Sequence, residues 1–225
     1  KYWKETSCVL WAIYRHEQLT GDREWLAGVW PHVEKAVRYL KELRRRASAD
    51  PDAPHYGLVP PGYSDGGLEF DSEYTNVYWT IMGFKRAADM AERMGKADMA
   101  EDCRCEYREM FAAFKKTAAR DLYTDGFGNR MLPVPMTRPL VKSPQKAQWS
   151  FLNAIHPGEI FEPDDPVMLG TMNNLTDNES EGEVFDTGWV DGGIWPFHAS
   201  ISGHAFLWLG KGEKAAHKLY SFANH

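Results

Sequence analysis

The chain reads as an all-α fold of stacked helical hairpins with one functional face, and three observations predict it. Apolar residues recur at three-four spacing in about eight separate stretches. Three connections between such stretches are tight and nearly alike: Leu19-Thr20-Gly21-Asp22, Arg93-Met94-Gly95-Lys96 and Trp208-Leu209-Gly210-Lys211. The remaining connections are long, and they hold most of the unusual acidic, aromatic and glycine residues. Short turns on one side and long loops on the other describe a weak repeat of about four hairpins.

The first helix is expected from Trp3 to Leu19, through Val9, Leu10, Ile13 and Tyr14. Gly21-Asp22 ends it, and Asp22 caps a second helix through Trp25, Leu26, Val29, Val33, Val37, Leu40 and Leu43. Pro31 inside that pattern implies a kink or a restart. A loop follows over residues 47–71, after which Ser72 or Thr75 caps a third helix through Val77, Ile81, Phe84, Ala88 and Met94. A fourth helix spans roughly Ala97 to Ala119. An Asp125-Gly126 turn between short apolar flanks predicts a small β-hairpin near residues 122–132. Prolines 133, 135, 139 and 144 hold the next segment extended, before a short helix over Gln145–Ile155. Another helix opens at Pro166 and runs through Met168, Leu169, Met172 and Leu175. A polar, glycine-rich loop over 177–194 precedes two last helices, Ile194 to Leu209 and Glu213 to Asn224.

The first long loop contains the densest chemistry. Residues 56–74 hold four carboxylates (Asp65, Glu69, Asp71, Glu73) and three tyrosines. Pro60-Pro61-Gly62 and Gly66-Gly67 exclude helix there, so these side chains stand on irregular backbone between rigid helices, where function concentrates. Composition supports a small-ligand site: 13% of the residues are aromatic, and ring side chains in loops suit stacking on apolar ligand faces. A net charge of −6 argues against a nucleic-acid surface or an anionic membrane surface, and no apolar run is long enough to span a membrane. Three cysteines form no disulfide framework, and Cys103 and Cys105 point to different helix faces. His198 and His204 are not an i,i+4 metal pair, so neither a metal nor a cofactor is expected. The chain begins at Lys1 and ends inside a helical pattern at His225, as a piece cut from a longer chain would.

The sequence resembles the six-hairpin (α/α)6-barrel glycosidases, the broad group of trehalase, glucoamylase and rhamnosidase-like enzymes. The resemblance rests on Tyr14 with Leu19-Thr20-Gly21-Asp22 and Trp25-Leu26, and on Gly62-Tyr63-Ser64-Asp65-Gly66-Gly67 ahead of Tyr74-Thr75-Asn76-Val77-Tyr78-Trp79. It rests also on Gly188-Trp189-Val190-Asp191-Gly192-Gly193-Ile194-Trp195-Pro196. It implies an (α/α)6 toroid of which about four hairpins are present, with the remainder of the catalytic domain missing. Inner helices would then be those at 1–20, 72–94, 145–155 and 194–209, their starts facing the mouth. Small residues Ala199, Ser200, Ser202, Gly203 and Ala205 suit close packing around an axis.

The implied activity is an inverting glycoside hydrolase acting on an oligosaccharide or glycoconjugate. That chemistry needs one carboxylic acid to protonate the leaving oxygen and one carboxylate across the sugar to activate water. Asp65 is the candidate acid, beside Tyr63 and between glycines that let substrate approach, although Asp65-Gly66 also suits a simple turn. Glu69 and Glu73 are substitutes, and Glu73 equally suits the N-terminus of the third helix. The base is open among Glu181, Glu183, Asp186 and Asp191, or lies on a later hairpin; Asp191 is the expected contact to sugar hydroxyls. Tyr2, Trp3, Tyr63, Trp149, Trp189, Trp195 and His198 are candidate pocket walls. Two rivals remain: an epimerase or polysaccharide lyase using His198 and Tyr63 as proton carriers, and a non-catalytic carbohydrate-binding piece.

Overall fold

α1 (Lys4–Thr20) and α2 (Arg23–Ala47) form the first hairpin in the computed structural model, which describes residues 1–64, 68–140, 142–188 and 192–225. Asp22 caps α2 as expected, its carboxylate accepting the Trp25 N–H at 2.8 Å. Pro31 neither breaks nor restarts the helix, which runs unbroken past it. The reason is burial: Leu26, Trp30, Val33, Val37, Leu40 and Leu43 all face the core. At roughly 2 kcal/mol for each such side chain, that outweighs a mid-helix proline's cost of about 3 kcal/mol.

The second hairpin joins α3 (Thr75–Arg93) to α4 (Ala97–Asp121). Before it, β1 (Gly62–Tyr63) and β2 (Phe70–Asp71) pair antiparallel across the acidic loop, a strand pairing that sequence patterning does not predict. After it, β3 (Tyr123–Thr124) and β4 (Arg130–Met131) form the expected hairpin. α5 (Trp149–Ile155) begins four residues later than its pattern suggests, because Ala147 takes a left-handed φ of 61° that helix excludes. α6 (Pro166–Asp177) is capped by Asp165. β5 (Glu179–Ser180) and β6 (Glu183–Val184) close a tight hairpin within the second polar loop. Glu181 and Gly182 at its tip have φ of 53° and 82°, the primed-turn geometry that matches strand twist. α7 (Pro196–Trp208) and α8 (Gly212–Asn224) complete the order.

The architecture is two layers of helices, the all-α toroid-like arrangement expected of hairpin stacking. α1, α3, α5 and α7 lie side by side in that succession as an inner layer. α2 packs outside α1 and α3, α4 outside α3, and α8 outside α7. α6 departs from the rule by packing mainly on β4, where Gly170 passes the Arg130 backbone too closely for any side chain. The three alike turns are alike in structure: Gly21, Gly95 and Gly210 have φ of 67°, 70° and 69°. A left-handed residue there lets the chain reverse while backbone N–H groups satisfy the last carbonyls. α3, flanked on both sides and from outside, is buried along nearly its whole length.

Candidate functional site

The starts of all four inner helices come together at one end of the stack, and two of them, those of α1 and α3, are stapled to the first acidic loop and to one another. The Trp3 indole N–H donates to the carbonyls of Pro60 and Pro61 at 3.0 and 3.1 Å. Tyr63 N donates to Lys1 O at 2.9 Å. Asn76 is the hub. Its Oδ1 accepts the Lys4 backbone N–H at 2.7 Å, and its Nδ2 donates to Tyr63 O at 3.1 Å and to the Glu73 carboxylate. Gly62 lies in the middle of this knot. A side chain there would meet Asn76, Lys1 and Trp3 atoms at 2.9 Å, so glycine alone fits.

The carboxylates of the loop divide by environment. Asp71 is held by Arg138, whose Nε donates at 2.8 Å, and by the Ser72 N–H at 2.8 Å. Glu73 is 3% exposed and accepts the backbone N–H of Thr75 at 2.6 Å and of Asn76 at 3.2 Å. Tyr74 occupies the cap position of α3 but does not cap it with its side chain, whose hydroxyl donates to Asp121 at 2.7 Å. So Glu73, rather than Ser72 or Thr75, satisfies the first amides of the helix. Burial pushes its carboxyl above the ordinary value, and the bonds from Asn76 and Thr75 oppose that shift. Glu69 is exposed and lines a cavity of about 280 Å³ together with Ser64, Leu68, Asp71, Glu73, Pro135 and Arg138. Asp65, the expected acid, lies outside the described residues.

Around these groups runs a belt of rings. Tyr2 and Tyr63 have centroids 5.5 Å apart, and Tyr63 and Phe70 5.3 Å apart. Trp149 lies 5.5 Å from Trp195, and Trp195 5.1 Å from Phe197. Lys4 joins the two sets, its Nζ 5.7 Å from the Tyr2 ring centre and 5.3 Å from that of Trp149. Burial lowers the Lys4 ammonium pKa, while Cys8 and Glu73 nearby raise it. Rings of this kind with a cation and carboxylates among them can hold a flat, hydroxyl-bearing ligand by stacking and hydrogen bonds.

The second acidic loop is tied down separately. Lys218 of α8 is buried and reaches Glu179 and the Gly182 carbonyl, the latter at 2.7 Å. Ala147 N donates to Thr187 O at 3.0 Å, and Gln145 Nε2 to Phe185 O at 3.1 Å, fixing the loop beside the start of α5. Asp186 accepts the Gly192 N–H. Glu183 is buried, and its carboxyl pKa is raised by burial and pulled back by Lys218. Glu181 is exposed at the hairpin tip. Trp189 and Asp191 lie outside the described residues.

The placement sorts the expected wall residues. Tyr2 and Tyr63 are exposed in the belt, Trp195 is half-buried in it, and Trp149 forms its buried inner edge. Trp3 is half-buried, and its polar edge is taken up by the Pro60 and Pro61 carbonyls. His198, another expected wall residue, is 1% exposed and lies near Lys218. Among the described residues the cavity at the first loop is walled on its other side by Pro135, Arg138 and Leu140, and Lys4 links the two ring sets. Lys4, Phe70, Asn76, Arg138 and Phe197 were not foreseen. Of these only Asn76 had a signal, its place at the start of a helix following an acidic loop.

A larger cavity, about 850 Å³, opens between α2 and α4 on the outer layer. Its Lys41, Arg44, Asp102 and Glu106 are paired with one another, and it has no ring side chain. It lacks the chemistry of the mouth.

No family model and no curated protein matches the sequence. The backbone is similar to that of a rhamnosidase from Klebsiella oxytoca with rhamnose bound, at a TM-score of 0.65 and 17% identity. The likeness covers 99% of this chain and 38% of that one. Likeness at that identity is one of fold. It extends over the whole hairpin stack and spans well under half of the rhamnosidase.

Proposed function

We propose that this chain carries the acid-loop side of a glycoside hydrolase site, cleaving a glycosidic bond in an oligosaccharide or glycoconjugate with inversion. The observation that carries the reading is the loop at 62–73. Its backbone is pinned to the starts of α1 and α3, and it brings carboxylates to an aromatic mouth on a helical stack similar in fold to a rhamnosidase.

In this reading Asp65 donates its proton to the leaving oxygen as the bond to the anomeric carbon breaks. A carboxylate across the sugar takes a proton from water, whose oxygen attacks that carbon from the opposite face. Asp191 is the base within this chain, or else the base belongs to the rest of the catalytic domain, in keeping with a chain that spans 38% of the rhamnosidase. Glu69, exposed in the cavity wall, is the substitute acid. Glu73 is assigned to the helix start, since its oxygens are engaged by N–H groups and closed to solvent.

The lyase or epimerase reading used His198 as a proton carrier, and its burial removes that support. Carbohydrate binding without cleavage is the second reading, favoured by a belt that needs no acid to bind a sugar.

The test is a panel of nitrophenyl glycosides with the wild-type protein and its Asp65→Asn and Asp191→Asn variants. Asp65→Asn is expected to lose about 10²–10⁴-fold in kcat/KM, the range of a general acid. Full activity in that variant removes Asp65 as the acid. Binding without turnover of any glycoside favours the second reading.

A further inference from the structure

α6 lies against the β3–β4 hairpin along one stripe of its surface. Gly170 admits the Arg130 backbone, and Asn174 and Asp177 follow on the same helix face at helical spacing. The turn of the hairpin supplies Asp125 and Asn129. Asn174 Nδ2 donates to Asp125 Oδ2 at 2.6 Å. Asn129 Nδ2 donates to the same oxygen at 3.1 Å and to Asp177 Oδ2 at 2.7 Å. The other Asp125 oxygen accepts the backbone N–H groups of Phe127 and Asn129 at 2.9 and 2.8 Å, which fixes that carboxylate against its own turn. Two amide side chains from different elements thus converge on two carboxylates.

One group in this cluster is left over. Asn174 is 0% exposed, and its Oδ1 has no hydrogen-bond partner. Buried polar atoms are nearly always paired, so a bare oxygen there calls for a reason. The Asn174 amide head is already aimed at Asp125, and a half turn about its last bond exchanges Oδ1 for Nδ2. The Asn129 amide can turn in the same way, which sets its oxygen against both carboxylates. Oxygens gathered in that manner repel one another unless a cation lies among them.

We propose that Asp125, Asn129, Asn174 and Asp177 form a binding site for a hard divalent cation, calcium in preference to magnesium. On binding, the two amides turn and the cation takes the place that their nitrogens hold. Calcium accepts six to eight oxygen ligands in flexible geometry, including carboxylates, amide carbonyls and water, whereas magnesium demands a near-ideal octahedron and gives up its water reluctantly. Asp177 is exposed, so the outer side of the site is open for entry and for water ligands. The absence of a metal expected from histidine spacing does not bear on such a site, which uses oxygen alone. The bound ion would tie the β3–β4 hairpin to α6. The proposal shares no residue with the glycoside site and stands or falls apart from it.

The experiment is titration of the chelator-treated protein with calcium chloride, read by calorimetry and by thermal midpoint, with magnesium chloride as the comparison. Two carboxylates place the expected Kd for calcium at about 10⁻⁴–10⁻³ M. At about ten times Kd, calcium is expected to raise the wild-type Tm by about 3–6 °C, and magnesium at the same concentration to raise it less. Asp177→Asn is expected to weaken calcium binding at least about ten-fold. Because Asp177 is exposed, that variant should keep its calcium-free Tm within about 2 °C of wild type. Asn174→Asp adds a third carboxylate and is expected to bind calcium about ten-fold more tightly. A wild type with neither heat nor Tm shift at about 10 mM calcium, well above the expected Kd, overturns the site. Calcium binding that is unchanged in Asp177→Asn overturns it as well, since the ion would then lie elsewhere. Magnesium binding as tight as calcium also overturns it, because that is the mark of diffuse charge screening.

Discussion

Glu73 and His198 are ionisable side chains buried at helix starts, and the protein treats them differently. Glu73 is surrounded by donors, so its burial is matched by bonds from Thr75 and Asn76. His198 has no bonding partner on either ring nitrogen among the described residues. Burial, with Lys218 adding to it, drops its pKa from 6.5 to about 3. Between those values the unfolded chain takes up a proton that the folded chain refuses. Stability from this residue is therefore intact above about pH 6.5 and drains away as pH falls towards 3. At about pH 4.5 the loss should reach about 2–3 kcal/mol. His198→Leu is expected to flatten this acid limb. Urea unfolding midpoints at about pH 7.5 and 4.5 check it, and an acid-side loss of the same size in the variant would place its source elsewhere.

At the scale of elements, function depends on how irregular segments are fastened to helices. The first loop is fastened by neutral hydrogen bonds through Asn76 and Trp3. The β5–β6 hairpin is fastened by a buried charge, Lys218, which reaches Glu179 and Gly182 O. Removing one partner from a buried pair leaves the other desolvated, so Lys218→Met should cost about 3–5 kcal/mol. It should also open the hairpin to protease at Glu181-Gly182 before the helices unfold, and limited proteolysis followed by mass spectrometry reads this directly. Cleavage no faster than in wild type would mean that the hairpin is held by its own turn. The inner helices are joined by close contact instead: at Gly83 any side chain would collide with Ser7 and Leu40, which sets how near α1 and α3 can lie.

For the whole molecule the notable surface lies along α7 and α8. A groove of about 410 Å³ there is lined by Ala199, Gly203, Leu207, Ala216, Leu219 and Phe222. Leu207 and Leu219 are 59% and 66% exposed. A contiguous apolar face of this kind drives association in water. The 225-residue chain is expected to self-associate at micromolar concentrations, and the Leu207→Lys, Leu219→Lys double variant to shift it towards monomer. Sedimentation velocity decides the matter; a monomeric wild type would show that this face is tolerated bare.

Much of this was legible from local chemistry. Glycine was demanded where a helix reversed, an aspartate where one began, and prolines where helix was impossible. Those are short-range preferences, so Gly21, Gly95 and Gly210, Asp22 and the β3–β4 turn were readable in order along the chain. The inner succession of helices followed from the same alternation of short and long connections. Tertiary structure alone decided which polar groups face water. Glu73 and Glu69 are four residues apart with the same side chain, yet one is walled in by the Thr75 and Asn76 amides and the other is exposed in the cavity wall. Lys4 came to stand between Tyr2 and Trp149 only because α1 and α5 begin at the same end of the stack. Burial and ring contact are properties of what lies opposite, and what lies opposite a residue is set by chain far from it in sequence.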